Sequence, residues 1–179
     1  RVVAMEDGDT VTVGGRRLRF LHTRGHANHH FCILDESSRS VFTGDAFGLH
    51  YPDLQRDGTF ALPSTSPTDF DPALAADAVR RIEAQDPACV YPTHFGAVHD
   101  IGASAGQLLR HLDFAGQLLD EAAEGRLPDE AIADWCRPRI RDYLAGLLDA
   151  RGDLGAAPAT WELLGLDIDL NARGIAHAA

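Results

Sequence analysis

Four histidines fall within nine residues, His22, His26, His29 and His30, around the stretch Thr23-Arg24-Gly25-His26. An imidazole nitrogen is a borderline-soft donor suited to zinc, iron and other first-row metals. A Gly-His turn at the end of a strand presents its ring from stiff backbone, as a preorganised ligand requires. Taken alone, the cluster reads equally well as an exposed histidine-rich loop. A second stretch, Val41-Phe42-Thr43-Gly44-Asp45, ends an apolar run on a carboxylate. Such an aspartate can bridge two cations through its two oxygens or cap the following loop, and by itself capping is the commoner use. The third stretch, Val90-Tyr91-Pro92-Thr93-His94-Phe95-Gly96, again ends an apolar run on a histidine beside a glycine.

The elements that must carry these residues are legible. Short β-rich segments are expected at 2–4 and 10–13, with Asp7-Gly8 and Gly14-Gly15 as turns. Residues 17–22 alternate, with Leu18, Phe20 and His22 on one side and Arg17 and Arg19 on the other. Runs at 31–34 and 40–43 complete a series of antiparallel strands. Pro52, Gly58, Pro63 and Pro67 punctuate residues 46–71 and forbid a long helix there. A loop of that length in a compact domain is usually functional. A helix is expected over 72–84, with Asp71 as N-cap and Pro72 at its first position, followed by a buried strand at 88–91. From about residue 103 the chain turns helical. Leu108, Leu112, Ala115 and Leu119 form one apolar stripe, Gly125 stops it, and Pro128 starts the next helix. Pro138 is expected to split or kink that second helix. Two short helices, near 158–165 and 168–177, close the chain.

Composition narrows the function classes. The 179 residues are 45% hydrophobic and 24% charged, which suits a packed core. No apolar run approaches the ~18–20 residues that a membrane-spanning helix needs. The net charge is −11, and a chain that lives on phosphate contacts is normally basic. Nucleic-acid and anionic-membrane partners are therefore disfavoured. All 16 basic residues are arginine, which excludes lysine Schiff-base chemistry. Cys32, Cys89 and Cys136 are odd in number and far apart, so buried thiols in a reducing, cytoplasmic setting are expected.

Three strand ends thus deliver His26, Asp45 and His94. Their flanks, H-T-x-G-H at 22–26, T-G-D at 43–45 and P-T-H-x-G at 92–96, resemble the later motifs of the metallo-β-lactamase superfamily, over about residues 2–100. The resemblance implies an α+β fold: part of an αββα sandwich over 1–100, followed by a helical region over 101–179 that packs on it or forms a homodimer contact. It implies two divalent metal ions, zinc foremost with iron or manganese as alternatives, ~3.5–4 Å apart. His26 would bind one, His94 the other, and Asp45 both, which also makes Asp45 the catalytic residue. His30 and Thr43 fall behind these ligands, with a hydrogen-bonded core role favoured for His30. His29 is expected in solvent.

The superfamily's first motif, H-x-H-x-D-H, does not occur in these residues. The chain, opening at Arg1, is therefore expected to be the later part of a longer protein. The activity implied is hydrolysis of a small carbonyl substrate, a thioester, lactone or similar ester, attacked by a metal-bound hydroxide. The alternatives are a mononuclear iron oxidoreductase like the persulfide dioxygenases of the same fold, and a metal-free binding protein. Phe47, His50 and Tyr51 in the long loop are candidate substrate contacts, although ordinary packing is the commoner use of such residues. The turn at 65–72 leads into the helix cap. His99 is expected to be exposed, and His111, placed near the polar side of its helix, is given no role.

Overall fold

The computed structural model describes residues 2–56, 58–65, 69–152, 155 and 157–179. Arg1 and Pro67, and with Pro67 part of the expected 65–72 turn, lie outside the described residues. The chain forms two compact units, one of Arg1–Pro63 with Asp71–Asp113, the other of Ser64–Phe70 with Phe114–Ala179. The two units meet, along the chain, between Asp113 and Phe114.

The first unit is built on a five-stranded sheet in the order β1 (Thr10–Val13), β2 (Arg16–His22), β3 (Phe31–Asp35), β4 (Ser40–Gly44), β5 (Cys89–Pro92). β1 to β4 form an antiparallel meander, and β5 runs parallel to β4. The parallel step needs a crossover, which is α1 (Pro72–Glu83). Asp71 caps α1 by accepting the Leu74 N–H at 2.9 Å, with Pro72 at the first position as expected. Residues 2–4 join no strand, and Val2 and Val3 are exposed. Their valines favour extended backbone but bury nothing, so propensity alone does not hold them in a sheet.

Register separates the two faces of the sheet. Leu21 pairs with Cys32, and Leu34 with Val41, which pairs with Val90. These residues are buried. Arg19 shares their face and donates to Gln85 Oε1 just beyond α1. The opposite face carries Phe31, Phe42 and Tyr91, all substantially exposed, with Phe42 stacked on Tyr91 at 5.3 Å. The long segment after β4 holds a 3-10 turn at Pro52–Leu54 and a bridge between Leu49 and Leu62.

α2 (Ile101–Glu124) runs from the first unit into the second. His111 lies on it and is buried rather than near its polar side, hydrogen-bonded to the Ala61 backbone. Burial pushes its imidazole down to about 4. In the second unit α3 (Asp129–Asp149) and α4 (Pro158–Ala178) pack together. Pro138 sits inside a single α3, not between two helices. Proline there costs a backbone bond, but the buried stripe Ile132, Cys136, Ile140, Leu144 and Leu148 is unbroken at four-residue spacing. α4 is also one helix instead of two short ones. Gly165 is its weak point, and the buried Leu164, Ile168, Ala172 and Ile175 continue across it. No helix among the described residues is long and apolar enough to cross a membrane.

Candidate metal centre

Strand direction explains why distant residues meet. In an antiparallel meander alternate strands run the same way, so β2 and β4 point together, and β5 is parallel to β4. The C-terminal ends of all three therefore open on one edge of the sheet. His26 follows β2, Asp45 follows β4 and His94 follows β5.

Each is held by local backbone. The loop bearing His26 is closed by Thr23 N–H to His30 O at 3.0 Å and His30 N–H to Ala27 O at 3.1 Å. Its Gly25 has φ +116° and accepts the Asp71 N–H at 2.9 Å. A Cβ on Gly25 would stand 2.1 Å from the Ala75 nitrogen, so only glycine lets the start of α1 come this close. Asp45 begins a tight turn in which its carbonyl accepts the Gly48 N–H. The Thr93 N–H donates to Gly44 O at 3.0 Å, which ties the residue before His94 to the residue before Asp45.

The side chains converge. His26 Nε2 lies 3.4 Å from Asp45 Oδ2, and His94 Nε2 lies 3.5 Å from Asp45 Oδ1. Each carboxylate oxygen thus faces a different imidazole. These separations exceed an ordinary N–H···O bond of ~2.7–3.2 Å. They match the about 3.3–3.6 Å between two donors that share one tetrahedral metal at 2.0–2.2 Å bonds. Asp45 Oδ1 is also buried without a hydrogen-bond partner, an arrangement that costs energy unless something else meets the oxygen. The donors therefore suit divalent cations, two donors to each of two positions. Among the described residues, no three His, Cys, Asp or Glu side chains converge closely enough to hold a metal by themselves.

His30 stands directly behind Asp45. Its Nε2 faces the Asp45 N–H at 3.3 Å, its Nδ1 lies 2.8 Å from Thr23 Oγ1, and its ring meets the His26 ring edge-on at 5.7 Å. Desolvation, followed by the nearby His26, holds its pKa below the usual imidazole range. Thr43 is fully buried, and its carbonyl lies 3.4 Å from Cys32 Sγ. Burial raises the Cys32 thiol to about 12.

Of the proposed substrate contacts, Phe47 is fully buried and His50 is buried, stacked on Phe47 and bonded to the Phe47 carbonyl at 3.1 Å. Both belong to the packed interior. Tyr51 is half-buried and lies 4.3 Å, centroid to centroid, from Phe95. Phe95, to whose side chain the sequence assigns no role, follows His94 directly, is 42% exposed and has φ +75°. A bulky residue in that region is strained, and such strain clusters at functional sites. Its only signal in the sequence is its place between His94 and Gly96. His29 is exposed, as expected. His99 is exposed too, with Nδ1 3.4 Å from the Ala88 carbonyl.

Comparison with known proteins bears on the family and the fold. A family model described as Metallo-beta-lactamase superfamily matches residues 1–94. An atrochrysone carboxyl ACP thioesterase from Paecilomyces divaricatus is 35% identical over 94 residues, covering 52% of this chain and 25% of the relative. The solved structure of an archaeal metallo-beta-lactamase superfamily protein from Sulfolobus tokodaii superposes with TM-score 0.55 at 22% identity, covering 97% of this chain and 51% of that one. A metallo-beta-lactamase family protein from Thermus thermophilus gives TM-score 0.53 at 22% identity, over 99% of this chain and 48% of that one. The chain spans a quarter to about half the length of these proteins.

Proposed function

Because this chain belongs to the metallo-beta-lactamase superfamily, we propose that it supplies half of the metal centre of a metal-dependent hydrolase acting on a small thioester or related ester. The observation that carries the reading is the Asp45 carboxylate set between two imidazoles, one to each oxygen, with Oδ1 otherwise orphaned. His26 with Asp45 Oδ2 would hold one metal and His94 with Asp45 Oδ1 the other. Zinc suits the imidazole and carboxylate donors. When bound, the metals supply Lewis acidity and lower the pKa of water far enough for hydrolysis at neutral pH.

The chain's own side chains do the rest. Asp45 presents one carboxylate oxygen to each imidazole and would set the spacing of the two positions. The backbone bonds at Gly25 and Gly44 hold His26 and Asp45 before any ligand arrives, so little reorganisation is needed on binding. Tyr51 and Phe95 offer an apolar wall beside His94 for the acyl part of a small-molecule substrate. The choice of a thioester rests on the similarity to the fungal thioesterase.

The test is thiol release from an S-acyl thioester by the full-length protein, beside a lactone and a simple ester. Chelation should abolish release and zinc restore it, and Asp45→Ala should lower it by at least about 10²-fold, the loss that even outer-shell changes can reach. Thioester cleavage untouched by both chelator and Asp45→Ala would end the proposal.

A further inference from the structure

We infer that Thr23, His30 and Cys32 are positioning residues, joined in a ring of hydrogen bonds that closes around Gly44 and fixes the Asp45 backbone. The inference rests on the reading of Asp45 as the shared ligand.

The direction of each bond follows from the two ends. A backbone N–H can only donate, so His30 Nε2 accepts from Asp45 at 3.3 Å. The neutral ring then carries its proton on Nδ1, which donates to Thr23 Oγ1 at 2.8 Å. At the other end the Thr43 carbonyl can only accept, so the Cys32 thiol donates to it at 3.4 Å, and its Sγ accepts from the Thr23 hydroxyl at 3.2 Å. The series thus begins at the Asp45 N–H and ends at the Thr43 C=O, on either side of one glycine, with every donor matched to an acceptor.

Gly44 is what lets the ring close. It has φ +53°, and a Cβ there would stand 2.5 Å from His30 Nε2. The imidazole occupies the place of the missing side chain. The T-G-D stretch is therefore one device: Thr43 gives the terminal acceptor, Gly44 the space, and Asp45 the first donor and the ligand. Reversing a bond leaves a mismatch, two donors facing at the Asp45 end or two acceptors facing at the Thr43 end. With the proton on His30 Nε2, the ring opposes the Asp45 N–H and turns the carboxylate out of line with His26 and His94. The arrangement selects the Nδ1–H tautomer, the minor form of free neutral imidazole, and so leaves a signature that packing alone does not produce.

The test uses the full-length protein and two readouts. Imidazole 15N shifts of the metal-free protein at fixed neutral pH report the tautomer, and competition with a chelator reports affinity for Zn2+ alone. His30 should be Nδ1-protonated in the wild type. Thr23→Val, which keeps the shape and removes the hydroxyl, should shift it toward Nε2–H and weaken zinc binding by about 10–100-fold. Thr23→Ser should restore both. Should Thr23→Val fail to fold, His30→Gln and His30→Leu replace it. The glutamine carbonyl can accept the Asp45 N–H and should keep zinc affinity within a few-fold, while leucine loses it. An Nε2-protonated His30 in the wild type overturns the inference, as does unchanged zinc affinity in Thr23→Val or His30→Leu. Asp45→Ala with undiminished zinc affinity would instead refute the shared-ligand reading, and the tautomer measurement would still judge the ring.

Discussion

The arrangement of one oxygen per imidazole makes a quantitative expectation about metal content. If His26 with Asp45 Oδ2 serves one position and His94 with Asp45 Oδ1 the other, removal of either histidine strips one donor from one position only. Removal of Asp45 strips one donor from both. A four-ligand zinc site binds with about 10–16 kcal/mol, or about 2.5–4 kcal/mol per ligand, which is about 10²–10³-fold in affinity. The full-length protein, dialysed against a weak chelator and analysed for zinc, should therefore hold two ions per chain. His26→Ala and His94→Ala should each hold one, and Asp45→Ala none. Titrating zinc back into the two histidine variants should recover the second ion only at about 10²–10³-fold higher free zinc. Two outcomes refute the reasoning: full occupancy in Asp45→Ala, or loss of both ions from a single histidine variant, since the latter would mean that the positions are not separately served.

Other expectations follow from the same structure. His111 is held near pKa 4 by burial, against about 6.5 when unfolded, so its contribution is complete above pH 6.5 and is lost as pH falls toward 4. Between pH 7 and 5 this costs about 2 kcal/mol, and His111→Gln should flatten the slope of urea stability against pH measured by circular dichroism; parallel slopes would exclude His111 as the cause. Phe95→Ala should raise KM for an apolar acyl thioester several-fold with little change in kcat, because it removes the wall and leaves Asp45 alone, and a fall in kcat alone would contradict that placement. Asp71→Ala should lower stability by about 1 kcal/mol through loss of the N-cap, read as a lower urea midpoint, and should also weaken zinc binding at the His26 position.

The three ligand candidates were legible because the informative features are local. Gly-His, Gly-Asp and His-x-Gly each sit where an apolar run stops, and strand direction then brings them to one edge. The cap and proline of α1 were legible for the same reason. The hydrogen-bond ring was not. Its bonds join residues 7 to 15 positions apart, and a buried thiol between apolar neighbours reads as an inert filler. Phe95 was missed because nothing in a phenylalanine announces a left-handed backbone. Pro138 misled in the opposite sense: a local breaker was outweighed by a buried stripe that only packing of α3 on α4 makes decisive. His111 was misplaced because its stripe was read as a strict apolar line, while a neutral imidazole with a backbone partner can sit inside it.

The anchoring of the long segment between β4 and α1 has an evolutionary corollary. At one end the turn from Thr43 to Gly48 is stitched by its own amides, and at the other Asp71 is fastened to Gly25. Between them Leu49, Leu54 and Leu62 are buried, whereas Pro52, Asp53 and Arg56 are exposed and can change their chemistry while His26, Asp45 and His94 keep their spacing. Descendants of such a scaffold could vary those surface positions with the three converging side chains left in place.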